Sequence, residues 1–153
     1  MTDTTTTDTT TDTTTDTTTD TTTDTTTDIT PDHLERIVDR HLAAYACPDP
    51  ARRAELVAAA WDPAGALLDP PFDGAGHEAI AAMADVVLSH YPGHRFVRSS
   101  GVDAHHGIAR YGWELVGPDG TVAVAGLDVA ELASDGRLRR VVGFFGPLSA
   151  RAD

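Results

Sequence analysis

Three polar residues sit where the surrounding pattern calls for apolar ones, and as a set they could move a proton. Asp128 is the sharpest. In the stretch 122–132, Val122, Val124, Gly126, Asp128, Ala130 and Leu132 fall on one face of a strand, placing a carboxyl among side chains expected to be buried. An unpaired buried charge is costly, so such a carboxyl is either paired or kept protonated. Arg137 and Arg139, the nearest arginines in sequence, follow a hairpin turn and are expected to face solvent there. A protonated, hydrogen-bond-donating Asp128 is the functional reading. A bulge near Gly126 or a distant arginine would make it structural. Asp69 closes a short strand before Pro70-Pro71; alone it reads as turn chemistry. His41 shares a helix face with Leu34, and reads either as a core histidine or as a donor and proton carrier in a cavity.

Other chemistries lack their residues. All 11 basic residues are arginine, so a Schiff-base lysine and a phosphate-loop lysine are excluded. His77, His90, His94, His105 and His106 show no metal-ligand spacing, and no nucleophile-elbow, zincin or dinucleotide glycine pattern occurs; neither metal nor cofactor is expected. Cys47 is the one cysteine, which fits a reducing compartment. Tyr111, Trp113 and Leu115 alternate on one strand face, as core, dimer packing or a substrate platform.

The elements that must position these groups follow from periodicity. Thr30-Pro31 caps and opens a first helix with Leu34, Ile37, Val38, Leu42 and Tyr45 on one face, ended by Cys47-Pro48. Asp49-Pro50 opens a second helix, with Leu56, Val57, Ala60 and Trp61 as its stripe and Asp62-Pro63 as its stop. A short strand over 66–69 and a loop over 74–76 precede a third helix from about His77 to Tyr91. From His94 the period becomes two, predicting strands over 94–103, 108–116, 121–132 and 137–145, with Pro118-Asp119-Gly120 and Ser134-Asp135-Gly136 as hairpin turns. A run of helices followed by a run of strands predicts an α+β fold.

Residues 1–28 contain Met1, seven aspartates and otherwise only threonine, in a Thr-Thr-Thr-Asp repeat; they read as a disordered leader. The expected organisation is this leader, one domain over 29–148 and a tail over 149–153. Without the leader's aspartates, 17 acidic residues face 11 arginines, a net charge of −6. That argues against a nucleic-acid partner. No apolar run approaches the ~20 residues that span a bilayer, and the N-terminus has no signal-like pattern, so no membrane is expected and a cytoplasmic location is.

Together these segments resemble the nuclear transport factor 2 (NTF2)-like superfamily, most closely its SnoaL-like and ketosteroid-isomerase-like members, over about Ile29 to Leu148. Trp61-Asp62-Pro63-Ala64 leading to Leu68-Asp69-Pro70, Gly76 opening the third helix, Gly126-Leu127-Asp128-Val129 and Arg140-Val141-Val142-Gly143-Phe144-Phe145-Gly146 carry the resemblance. It implies a cone in which three N-terminal helices pack on a curved, mainly antiparallel sheet, and a homodimer. It also implies catalytic roles for Asp69 as general base and for Asp128 as the protonated carboxyl that helps hold an enolate oxygen, the division of labour of ketosteroid isomerases. That family's oxyanion-binding tyrosine falls on His41 here, with Tyr45 one turn later. A histidine in the cavity is more like polyketide cyclases and dehydratases of the superfamily. The implied substrate is an apolar carbonyl compound, polyketide- or steroid-like, with Tyr45, Phe72, Trp113 and Phe144 around it; isomerisation, cyclisation and dehydration all fit. The alternative is a non-catalytic ligand-binding or dimeric assembly module.

Overall fold

A computed structural model describes residues 29–152; the Thr/Asp leader and the final residue lie outside the described residues. Helix α1 (Pro31–Ala44) begins as its sequence dictates: the Thr30 side chain accepts the His33 N–H and Pro31 needs no intrahelical donor. It buries Leu34, Ile37, Val38, His41 and Leu42, the 3–4 spacing of one helix face. Asp49 caps α2 (Pro50–Ala60) by accepting from the Ala51 and Arg52 N–H groups. From Arg98, on a strand facing α1, ion pairs to Asp39 (2.9 Å) and Glu35 (3.2 Å) moor that helix to the sheet.

Strand β1 (Trp61–Asp69) differs from the sequence reading. Trp61 is not the last residue of a helical stripe but the first residue of the strand, in an extended conformation. Pro63 does not stop the chain there, because the pairing of β1 with its neighbour is irregular between Trp61 and Ala66, where a missing N–H costs no ladder bond. Pro70-Pro71 turns the chain back into β2 (Phe72–Ala75), so most of the expected loop over 74–76 is a strand paired antiparallel to β1. Gly76, at φ 84°, caps α3 (His77–His90).

The strand expected over 94–103 is two: β3 (Arg95–Arg98) and β4 (Asp103–His105), both paired with β5 (Ile108–Val116). The break falls at Ser99-Ser100-Gly101, where the Ser100 hydroxyl accepts the Gly112 N–H at 2.8 Å. Strands β6 (Val122–Leu132) and β7 (Leu138–Phe145) complete a seven-stranded sheet in the order β2-β1-β7-β6-β5-β3, with β4 also on β5. The β1–β7 pair is parallel and the rest antiparallel, so among the described residues the α+β fold joins three helices to an open, mixed sheet. Irregularities in β1, β5 and β6 bend it, as bulges do. Its core gathers Ile37, Val38, Leu42, Val57, Ile80 and Val141. No helix among the described residues is long and apolar enough to cross a membrane.

Candidate functional site

The bent sheet and the helices enclose a cavity of about 300 Å³, between α1, α3 and the concave face. Among the described residues its lining is mostly aliphatic and aromatic; the acidic members are Asp69 and Asp128, and no arginine lines it. Both carboxyls reach the cavity from neighbours of β7. Asp128 lies directly across from Gly143 in the β6–β7 register, and Asp69 closes β1 on the other side of β7. A Cβ on Gly143 would overlap Asp69 Oδ1 and come within 3.1 Å of Asp128 Oδ1. The two carboxyls therefore meet over a bare backbone position.

Asp128 is 4% exposed, so its strand face points inward. Two donor-bearing side chains stand at its carboxyl. Oδ1 accepts the Trp113 indole N–H at 2.7 Å, and Oδ2 lies 3.6 Å from His41 Nε2. The hydrogen bond Asp128 makes is thus one it accepts. Trp113 reaches it because Gly126, its cross-strand partner, leaves room; a Cβ there would overlap the indole ring.

Asp69 has the opposite surroundings. Its Oδ1 is buried without a hydrogen-bond partner. Burial, and then the charge of Asp128, push its pKa up from 3.8 to about 7; the nearby Gly143 N–H opposes the rise without making a well-formed hydrogen bond to it. A carboxyl with this pKa is a stronger base than an ordinary one and is still substantially ionised at neutral pH.

His41, 1% exposed, lies between Trp61, Tyr45 and Asp128. The Trp61 indole N–H donates to its Nδ1 at 3.2 Å, so its ring proton sits on Nε2, toward Asp128. His41 lines the cavity, one of the two places the sequence allows it, with Nε2 toward Asp128. The free donor is Tyr45: its hydroxyl is buried without a partner and its side chain lines the cavity. Burial first, then Asp69 and Asp128, raise its pKa, so it stays protonated and able to donate. The Tyr111 hydroxyl is buried near Asp128 without a well-formed hydrogen bond to it; burial, then the charge of Asp128, raise its pKa.

Phe72 and Trp113 line the cavity with Tyr45, but Phe144 does not. In the β6–β7 register Asp128 faces Gly143 and Gly126 faces Phe145, so residues 143 and 145 share the inner side. Phe144 points outward, 58% exposed, and Phe145 takes the expected place. Tyr111, Trp113 and Leu115 point inward as core and cavity wall, which removes that row from any dimer face. Trp61, Gly143 and Phe145 belong to the family motifs in the sequence but carry no site role there. For Trp61 a signal existed, since a buried indole N–H needs an acceptor. Among the described residues no group of three or more His, Cys, Asp or Glu side chains is disposed to hold a metal.

No protein-family model matches the sequence, and no curated protein matches it. Solved structures do. A candidate isomerase of the SnoaL-like family from Agrobacterium tumefaciens is 38% identical, with a TM-score of 0.67 over 72% of this chain and 95% of that one. An NTF2-like protein of unknown function from Exiguobacterium shares the fold at 16% identity and a TM-score of 0.54, over 73% of this chain and 99% of that one. A candidate SnoaL-like polyketide cyclase from Jannaschia does so at 17% and 0.53, over 72% and 85%.

Proposed function

Since the chain belongs to the SnoaL-like family, in an NTF2-like fold that ketosteroid-isomerase-like proteins share, we propose that it is an acid–base enzyme moving a proton beside a carbonyl in a neutral, largely apolar small molecule. The carrying observation is the meeting of Asp69 and Asp128 over Gly143 inside an apolar cavity. Asp69 as carboxylate takes the proton from the carbon next to the carbonyl; the C–H electron pair becomes the C=C bond of the enolate and the carbonyl π pair moves to oxygen. The Tyr45 hydroxyl donates to that oxygen; a donor so aimed contributes roughly 2.7–4 kcal/mol in the transition state. Asp128 stays beside Asp69 as a fixed negative neighbour, which keeps Asp69 basic. Returning the proton from Asp69 to a different carbon gives isomerisation; attack of the enolate on a second carbonyl, with that proton delivered to the new alkoxide, gives aldol cyclisation, and loss of a β-hydroxyl as water with that proton gives dehydration. The cavity volume, at the lower end of the usual ~300–1,000 Å³ range, favours a mono- or bicyclic ligand.

The test is solvent exchange. In deuterated buffer, a panel of mono- and bicyclic ketones should gain deuterium next to the carbonyl, at a rate that rises as pH passes through about 7 and Asp69 ionises. No exchange above the buffer rate, or exchange flat through neutral pH, would sink the proposal.

The same reading makes the chain a homodimer. Leu127 and Phe144, paired across β6 and β7, are 41% and 58% exposed on the side away from the cavity. Light scattering at micromolar concentration should return twice the chain mass; a monomer would count against it.

A further inference from the structure

The unused part of the site is a buried chain of donors that begins at Trp61 and ends on Asp128. Trp61 is fully buried and makes one side-chain hydrogen bond, to His41 Nδ1 at 3.2 Å. An imidazole nitrogen that accepts an N–H cannot also carry a proton pointed at that N–H. The His41 proton is thereby sent to Nε2, 3.6 Å from Asp128 Oδ2. The other oxygen, Oδ1, already accepts from Trp113. The groups facing this centre are Tyr45 on α1, Asp69 on β1, Tyr111 on β5 and Asp128 on β6; His90, on α3, lines the same cavity. Apart from the histidines, none brings a positive charge, so a second proton on His41 would introduce a cation beside the carboxyl pair.

We propose that Trp61 is a positioning residue: by occupying His41 Nδ1 it fixes the imidazole as the Nε2–H tautomer, and so decides which of the two carboxyls carries their shared proton. The inference rests on the acid–base reading of the pair. With Nε2–H and the Trp113 N–H both directed at Asp128, negative charge is favoured there and the proton goes to Asp69, whose Oδ1 makes no well-formed hydrogen bond. Asp69 thus becomes the group that exchanges protons with a substrate. Trp61 touches no substrate; it acts through His41.

Nitrogen-15 NMR of the histidine rings in the full chain reads the tautomer directly. His41 Nδ1 should show the shift of an unprotonated ring nitrogen, with scalar coupling to the Trp61 indole N–H; a protonated Nδ1 would overturn the proposal. In Trp61→Phe, Nδ1 should be released to take up a proton, and the Asp69 midpoint, followed by carboxyl carbon-13 shifts, should fall by about one pH unit. In Trp113→Phe, which also loses an indole, the tautomer should stay as in the parent. An unmoved Asp69 midpoint with the Nε2–H tautomer retained in Trp61→Phe would assign the tautomer to Asp128 alone and refute the role of Trp61. If that variant does not fold, Asp128→Asn decides: with Trp61 in place the Nε2–H tautomer should persist, and its loss would assign the tautomer to Asp128 and refute the role of Trp61. Neither spectrum needs a substrate, so ketone exchange that fails while the spectra match removes the enzyme reading and leaves the tautomer lock standing.

Discussion

Asp69→Asn should stop ketone exchange and at the same time make the protein more stable above neutral pH. The asparagine keeps the shape of the side chain and removes its charge. General-base catalysis is worth roughly 10²–10⁴-fold, so exchange should fall by that much while ligand binding survives. The stability gain follows from linkage. Folding raises the Asp69 pKa from 3.8 to about 7, so the folded state binds this proton more tightly than the unfolded state. Below about pH 4 the group is protonated in both states and costs nothing. Its relative stabilisation is lost as pH rises, and above pH 7 the full cost of a buried carboxylate remains. Taking the partial exposure of Asp69 into account, the variant should gain about 2 kcal/mol at pH 8, roughly 5–10 °C in melting temperature. Near pH 4 it should match the parent. A variant no more stable than the parent at pH 8 would show that the carboxyl is not held under strain. Loss of function with gain of stability is the signature of a group kept for chemistry.

Gly143→Ala should produce the second large effect, from a single methyl group. The added Cβ would overlap Asp69 Oδ1, lie 2.9 Å from Asp69 Cγ and 3.1 Å from Asp128 Oδ1. Neither carboxyl can stay where it is. A displacement of about 1 Å at a reacting group can cost about 10²-fold in rate, and overpacking costs about 1–3 kcal/mol. Both should appear, in ketone exchange and in urea unfolding. Adding Asp69→Ser removes the crowded atoms and should restore stability without restoring exchange. Strictly additive stability effects in the double variant would place the clash elsewhere.

How far the site was legible depended on whether its signal lay along one element or across two. Asp128 was visible because period-two alternation places it in a row of apolar residues, and a single strand contains that information. Asp69 was visible only beside it, through the family pattern. Gly143 carries no side-chain signal; its meaning arises when β6 and β1 flank β7, and that pairing is non-local. Phe144 and Phe145 show the same limit, since a one-residue choice of face is fixed by register and by nothing in the dipeptide. Trp61 was misplaced because α2 passes into β1 without a connecting turn, and Pro63 read as a stop where a pairing irregularity tolerates it. The helices were legible at their starts, where Thr30-Pro31 and Asp49-Pro50 are local caps, and the sheet's bend was not, because it arises at irregular pairings.

That no guanidinium borders the cavity, while two aspartates share its floor, sets up an electrostatic sieve. A keto acid or a phosphorylated metabolite would bring a second anion into a space with no arginine or lysine to meet it, and like-charge repulsion at low dielectric would turn it away. On the proposed acid–base reading, uncharged ketones would pass that filter, and selection would begin with a compound's ionisation, before any fit of shape.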